Sequence, residues 1–317
     1  MMDVITTLRK SIATQLSPLI DRDYVLLDLP YHANIGDVLI WEGEHTFLQT
    51  IPYKCLKTAS CRWSGKINKD TIILLHGGGN FGDLYREYQE FRLKIIQEHP
   101  DNKIIMFPQS ACYQNEEFVD IDSKIMRRHK NLYLCARDIP TYDFMKSNFS
   151  QNHILLVPDM AFYISDTLLS TIKNKNMSKS LFLARLDKEN SNSLKPDKKI
   201  YDIRDWPTCE SLDIFVVLLL LTDKLRGRLR NFSLIHSAVS FVVDAFALSL
   251  FRPYMVKKGL TFINCYNEVV TTRLHALISS VLLDKRVYYI DNISGKLSAY
   301  TDTWLKDYKK ISSFKIK

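Results

Sequence analysis

No two cysteines in this 317-residue chain are spaced C-x-x-C, and no cysteines and histidines stand at a zinc-binding spacing. Cys55, Cys61, Cys112, Cys135, Cys209 and Cys265 are scattered, which argues against a structural metal site and suits reduced cytosolic thiols. Low-complexity tracts are missing too, so disorder has no compositional footing. No signal-type apolar run follows the charged segment Met1 to Lys10, and the expected location is the cytoplasm. Uninterrupted apolar stretches of the ~20 residues that cross a bilayer are also lacking. Ile214 to Leu221 has only eight, and Ser233 to Phe251 is broken by His236 and Asp244. Both read as buried core helices. The sharper alternative is peripheral contact with the inner face of a membrane, with Arg226, Arg228, Arg230, Lys257 and Lys258 toward anionic headgroups. No basic stripe with interleaved aromatics exists, so the net charge of +8 suits an anionic substrate or membrane surface and argues against nucleic acid.

What remains is an ordinary globular composition, 46% hydrophobic and 25% charged, in a chain longer than one core usually supports. Two domains are expected, over residues 1–172 and 180–317, with the boundary in the polar stretch Lys173 to Lys179. After a leading helix, β-prone runs at Tyr24 to Leu29, Thr71 to Leu75, Lys103 to Phe107, Leu132 to Cys135 and Ile154 to Val157 alternate with helical stretches. A second alternation gives strands at Ser180 to Ala184, Lys199 to Ile203, Thr261 to Asn264, Val269-Val270 and Val287 to Ile290, with a loop over Asp187 to Lys199. Strands alternating with helices imply parallel sheets, so the fold class is α/β, two Rossmann-like domains facing a central cleft at the strand C-termini.

Three motifs carry chemistry. His76-Gly77-Gly78-Gly79-Asn80 lies between a predicted strand and a predicted helix, where bare backbone amides and a helix start can hold an anion, or where the glycines simply make a tight strand-to-helix connection. It has neither the Walker A lysine nor the dinucleotide glycine pattern, and without a Gly-x-Ser-x-Gly elbow it is no lipase oxyanion hole. Asn34-Ile35-Gly36-Asp37 repeats the arrangement after the first strand, either as a helix cap or as a carboxylate for a substrate hydroxyl. Thr271-Thr272-Arg273-Leu274-His275 places a guanidinium fork and an imidazole at another strand end, and Arg185 is a candidate second fork.

These residues, with Asp83, Pro108-Gln109-Ser110, Ala136-Arg137-Asp138, Asp291-Asn292 and Gly295-Lys296, resemble the polysaccharide pyruvyltransferases of exopolysaccharide and capsule synthesis. The resemblance runs in order from about residue 30 to residue 305. It implies a bacterial transferase of GT-B-like, two-Rossmann-domain architecture that needs no cofactor or metal. Phosphoenolpyruvate would be the donor, and a sugar diol of a surface polysaccharide, or of an undecaprenyl-linked precursor, the acceptor. On this reading Arg185, Arg273, Leu274 and Lys296 bind the donor, and Asn34, Gly36, Gly77, Gly78, Gly79 and Asn80 form the acceptor and anion loops. His275, Asp37 and Asp83 share the proton transfers. The competing expectations are a nucleotide-sugar glycosyltransferase of the same architecture and a non-catalytic polysaccharide-assembly protein. Isoleucine at 293, the lysine- and asparagine-rich stretch Asp187 to Asp197 and the apolar tract Leu212 to Phe251 depart from the family pattern.

Overall fold

A computed structural model describes residues 3–172, 180–184, 197–229, 231–291 and 295–314. The boundary stretch Lys173 to Lys179, Arg185, most of the Asp187 to Lys199 loop, Arg230 and Asn292 lie outside the described residues. Two α/β units result, each a parallel sheet flanked by helices. The first begins with α1 (Val4–Leu16) and alternates β1 (Tyr24–Leu27), α2 (Ile35–Leu48), β2 (Cys55–Thr58), β3 (Ile72–Leu75), β4 (Gly78–Gly82), α3 (Arg86–Glu98), β5 (Ile104–Cys112), α4 (Glu116–Met126), β6 (Leu132–Ala136), α5 (Ile139–Asn148) and β7 (His153–Leu156), then ends in the short α6 (Asp166–Ser170). Its strand order is β2-β1-β3-β5-β6-β7, with β4 paired to β5. The second contains β8 (Ser180–Leu183), β9 (Tyr201–Arg204), α7 (Pro207–Glu210), α8 (Ile214–Arg228), α9 (Ser233–Phe246), α10 (Arg252–Asn264), β10 (Glu268–Thr271), α11 (Leu274–Leu282), β11 (Arg286–Tyr289), α12 (Lys296–Trp304) and β12 (Ile311–Ser313), in sheet order β12-β11-β10-β8-β9.

In each sheet the winding reverses once, between β1 and β3 in the first and between β8 and β10 in the second. Loops diverge at such a reversal and leave a crevice beyond the strand C-termini. Strand β3 and the first four residues of β5, Ile104 to Phe107, are apolar on both faces, as strands covered by helices on either side must be. One apolar core runs through both units, from Leu26 and Phe107 to Leu181, Val269 and Leu277. Helices α2 and α10 meet across it at Gly259, where a Cβ would lie 2.3 Å from Ile35.

The glycine run differs from its expected setting. Gly78–Gly82 is a strand, β4, rather than the lip of a helix, and α3 starts only at Arg86. Gly78 and Gly82 have φ of +135° and +131°, and a Cβ at Gly82 would stand 2.0 Å from the Cys112 carbonyl oxygen. These glycines thus let an irregular strand pair tightly with β5. Pro108-Gln109-Ser110 likewise lies within β5, and the irregular register there brings Gln109 opposite Ala136. Thr261 to Asn264 is the last turn of α10, where Leu260 and Ile263 are buried at helical spacing. Three adjacent β-prone residues had suggested a strand; the packing of α10 against α2 decides otherwise.

Candidate active site

The two crevices meet in a cavity of about 340 Å³. The first sheet contributes the loop after β1. There Asn34 caps α2, accepting a hydrogen bond from the Gly36 amide at 3.1 Å, and its Nδ2 donates to Asp37 at 2.8 Å. The motif is a helix cap, and the carboxylate beside it, Asp37, lines the cavity. Burial pushes the Asp37 carboxyl up, but His32, His275, His76 and Arg137 outweigh it and hold the group below its ordinary range.

His275 opens α11 from the second sheet and leans on α2, where a Cβ on Gly36 would approach its Nδ1 to 2.7 Å. On its other side, His275 Nε2 lies 3.3 Å from Asp159, a carboxylate fully buried just past the end of β7. Arg137 Nη1, from the end of β6, donates to the same oxygen at 2.9 Å, and Tyr300 of α12 accepts from the Asp159 amide at 3.0 Å. Burial alone would raise the Asp159 pKa, but His275, Arg137 and the Ala161 N–H hold it far below the carboxylate range. An ionised carboxylate behind an imidazole fixes the orientation of the ring.

Three cationic side chains border the cavity: Arg137, Arg273 and Lys296. Arg137 Nε donates to Ser110 at 2.8 Å, and Ser110 in turn donates to Asp138 at 2.5 Å. Its remaining Nη2 has no hydrogen-bond acceptor among the described residues and points over Gly79, 3.1 Å from where a Cβ would be. Lys296 Nζ reaches the same place from α12, at 3.6 Å. Glycine at 79 therefore keeps open a spot on which two cations converge. Arg273 is differently disposed, since its Nη2 donates to Asp205 at 2.6 Å and the other carboxylate oxygen lies 2.6 Å from its Nε as an ion pair. Leu274 completes that wall.

Of the expected site residues, the structure gathers Asn34, Asp37, Gly79, Asn80, Arg273, Leu274, His275 and Lys296 around this cavity, with Gly36 packed beneath His275. Asn80 also holds the site from below, accepting from the buried Arg92 at 2.7 Å. Asp83 is not brought in: both its oxygens accept backbone amides of Gln114 and Asn115 at 2.8 to 2.9 Å, which secures the turn after β5. Gly77 and Gly78 do not line the cavity either, and the Gly77 amide donates inward to the buried Glu44 at 2.8 Å. Arg185 lies outside the described residues. Sequence reasoning assigned no chemistry to Arg137 or Asp159, although Arg137 immediately follows β6 and Asp159 comes three residues after β7, the places where α/β sheets put functional groups.

A doubly wound pair of parallel sheets with an acid–imidazole pair and cations in the intervening cleft has the layout of an α/β enzyme. Comparison with known proteins narrows this. The family model for polysaccharide pyruvyl transferase matches residues 34–294, and the chain belongs to that family. It is 30% identical over 309 residues to the Bacillus subtilis (strain 168) protein named "Putative pyruvyl transferase EpsO", covering 93% of this chain and 91% of that one. It is 26% identical over 308 residues to Pyruvyl transferase 1 of Schizosaccharomyces pombe, covering 88% and 69%. A crystal structure of an uncharacterised Klebsiella pneumoniae protein shares the fold over the full length of both chains, with a TM-score of 0.63 at 18% identity.

Proposed function

We propose that the chain moves the pyruvyl unit of phosphoenolpyruvate onto a sugar diol of a surface polysaccharide or its lipid-linked precursor, within a GT-B-like cleft. The observation that carries this is the convergence of Arg137 Nη2 and Lys296 Nζ over Gly79, beside the His275–Asp159 pair. A compact dianion needs a dense cationic grip close to a proton source. The small cavity supports such a donor as well. His275 delivers a proton to C3 of the enol, which makes C2 electrophilic. One acceptor hydroxyl adds to C2, the second displaces phosphate with its proton passing to the leaving group, and a methyl-bearing cyclic ketal results. Asp37 orients the hydroxyls and takes up the proton of the first, which restores the one His275 gave to C3. Arg273, with Leu274 and the candidate Arg185, steadies the carboxylate end.

Incubation with phosphoenolpyruvate should raise the thermal unfolding midpoint, as a ligand selective for the native state does, and nucleotide sugars should not. A shift with nucleotide sugars alone would make the chain a glycosyltransferase instead. Transfer itself is read as the mass of a pyruvyl ketal on a candidate glycan.

A further inference from the structure

Eleven of the seventeen exposed large apolar side chains among the described residues fall between Leu212 and Leu250. Soluble surfaces scatter such residues singly, and a concentration on one element marks an interaction face. On α8, Ile214, Leu218, Leu221 and Leu225 form one exposed stripe at helical spacing, with Leu221 61% exposed. On α9, Leu234 is 86% and Phe241 73% exposed, with Val242 one residue further on. The stripe's continuation is basic: Lys224 and Arg228 lie three and seven residues past Leu221, and both are exposed.

Charge decides what this face meets. Between Leu212 and Asn264 the chain has only three carboxylates, Asp213, Asp223 and Asp244. All three are buried, and each is neutralised from within. Asp213 pairs with Lys258 at 2.6 Å, Asp244 pairs with Arg226 at 2.6 Å and Lys57 at 2.8 Å, and Asp223 pairs with the same buried Arg226. The outward surface of the tract is therefore apolar and positive, with no exposed carboxylate. A second copy docked on this stripe would set Lys224 and Arg228 against their own equivalents. An anionic bilayer surface complements both the apolar stripe and the charge.

The segment Leu234–Asn264 is long and apolar enough to cross a membrane. Its second half is committed elsewhere, however, because Met255, Val256, Leu260 and Ile263 of α10 are buried in the core against α2. We infer that α8 and α9 lie in the plane of an anionic phospholipid surface, inserting the Leu221 and Phe241 faces among the acyl chains with Lys224 and Arg228 at the headgroups. The orientation is useful to the enzyme. An open groove of about 1190 Å³ bordered by Lys224 and Arg228 also contains Trp63 and Glu87, and Glu87 lines the catalytic cavity as well. A saccharide carried on a lipid would thus find a path from bilayer to site.

The test is co-sedimentation of the full chain with vesicles of phosphatidylcholine alone, or with roughly a third phosphatidylglycerol. Wild-type protein should pellet with the anionic vesicles, and added salt should release part of it. The double variant Leu221→Ser/Phe241→Ser should partition about tenfold more weakly to the same vesicles. Lys224→Glu/Arg228→Glu should lose the preference for anionic over neutral vesicles. Circular dichroism spectra should match wild type in both cases, because only outward side chains change. Wild-type protein that stays in the supernatant with anionic vesicles overturns the inference. So does a dimer in sedimentation velocity that Leu221→Ser dissociates, since a second copy would then cover the face.

Discussion

At Gly36 the chain has no side chain because His275 occupies the space. Gly36→Ala would press a methyl to 2.7 Å from Nδ1 and rotate the imidazole away from Asp159. A misplacement of this size costs about a hundredfold in rate, so we expect kcat to fall by that much with the unfolding midpoint little changed. His275→Ala should abolish transfer while the protein stays folded, and wild-type turnover in that variant would remove the imidazole from the mechanism. Asp159→Asn keeps the shape but gives up the charge behind the ring, and its kcat should drop by about 10² to 10⁴. His45 offers a pH readout apart from catalysis: burial first, then the nearby Arg252, pushes its pKa down to about 4. Below its unfolded value of about 6.5 the unfolded chain binds a proton that the native state refuses, so stability declines as the pH falls toward 4. His45→Gln should flatten that decline in urea titrations across this window; an unchanged slope would show that the ring charges in place.

Helices in this fold are held by contacts that a single residue can break. Arg226 is fully buried between Asp223 of its own helix and Asp244 of α9, and it also donates to Ser60 in the first unit. Arg226→Leu removes the buried cation that the two carboxylates share, leaving Asp244 to Lys57 at 2.8 Å and Asp223 to Arg62 at 3.5 Å, and we expect a loss of about 3 kcal/mol in chemical denaturation. Packing of α2 is as intolerant, because a Cβ at Gly43 would lie 1.8 Å from the Met160 carbonyl oxygen. Gly43→Ala should cost about 3 kcal/mol and raise the unfolding rate. Elements with a strong period were legible from sequence: α2, α11 and the apolar strands β3 and β6 stand where the pattern puts them. Strand β4 was not, since a glycine run has no apolar alternation to read, and its pairing with β5 is settled by a close approach visible only in three dimensions. The same holds for β2, whose four residues carry a weak pattern at a sheet edge.

For the whole molecule, the alternation of strands and helices already implied two parallel sheets, and the strand ends already marked His275 and Arg273. What the sequence did not disclose is which strand ends face one another. Asp159 and His275 are 116 residues apart and sit in different units, so no local pattern links them. Asp83 shows the converse: a carboxylate beside a glycine run reads as chemistry, yet backbone amides 31 and 32 residues on claim it entirely. Because residues from both units border the cavity, donor binding should stabilise the two units together. A single cooperative transition, moved upward by phosphoenolpyruvate, is the calorimetric outcome we expect; two transitions with only one displaced would place the ligand within one unit.

Helix α12 gives the assembly an order in time. It supplies Lys296 to the cavity, Tyr300 to the Asp159 amide and Trp304 to the Arg137 carbonyl at 2.7 Å. A ribosome reaches residues 296–304 long after the first sheet has left the exit tunnel. Until then Asp159 and Arg137 lack the helix that fixes their backbone, and the cationic spot above Gly79 has only one of its two charges. A chain cut short of residue 296 therefore lacks one of the two cations above Gly79 and both of these backbone contacts, however well its first sheet folds.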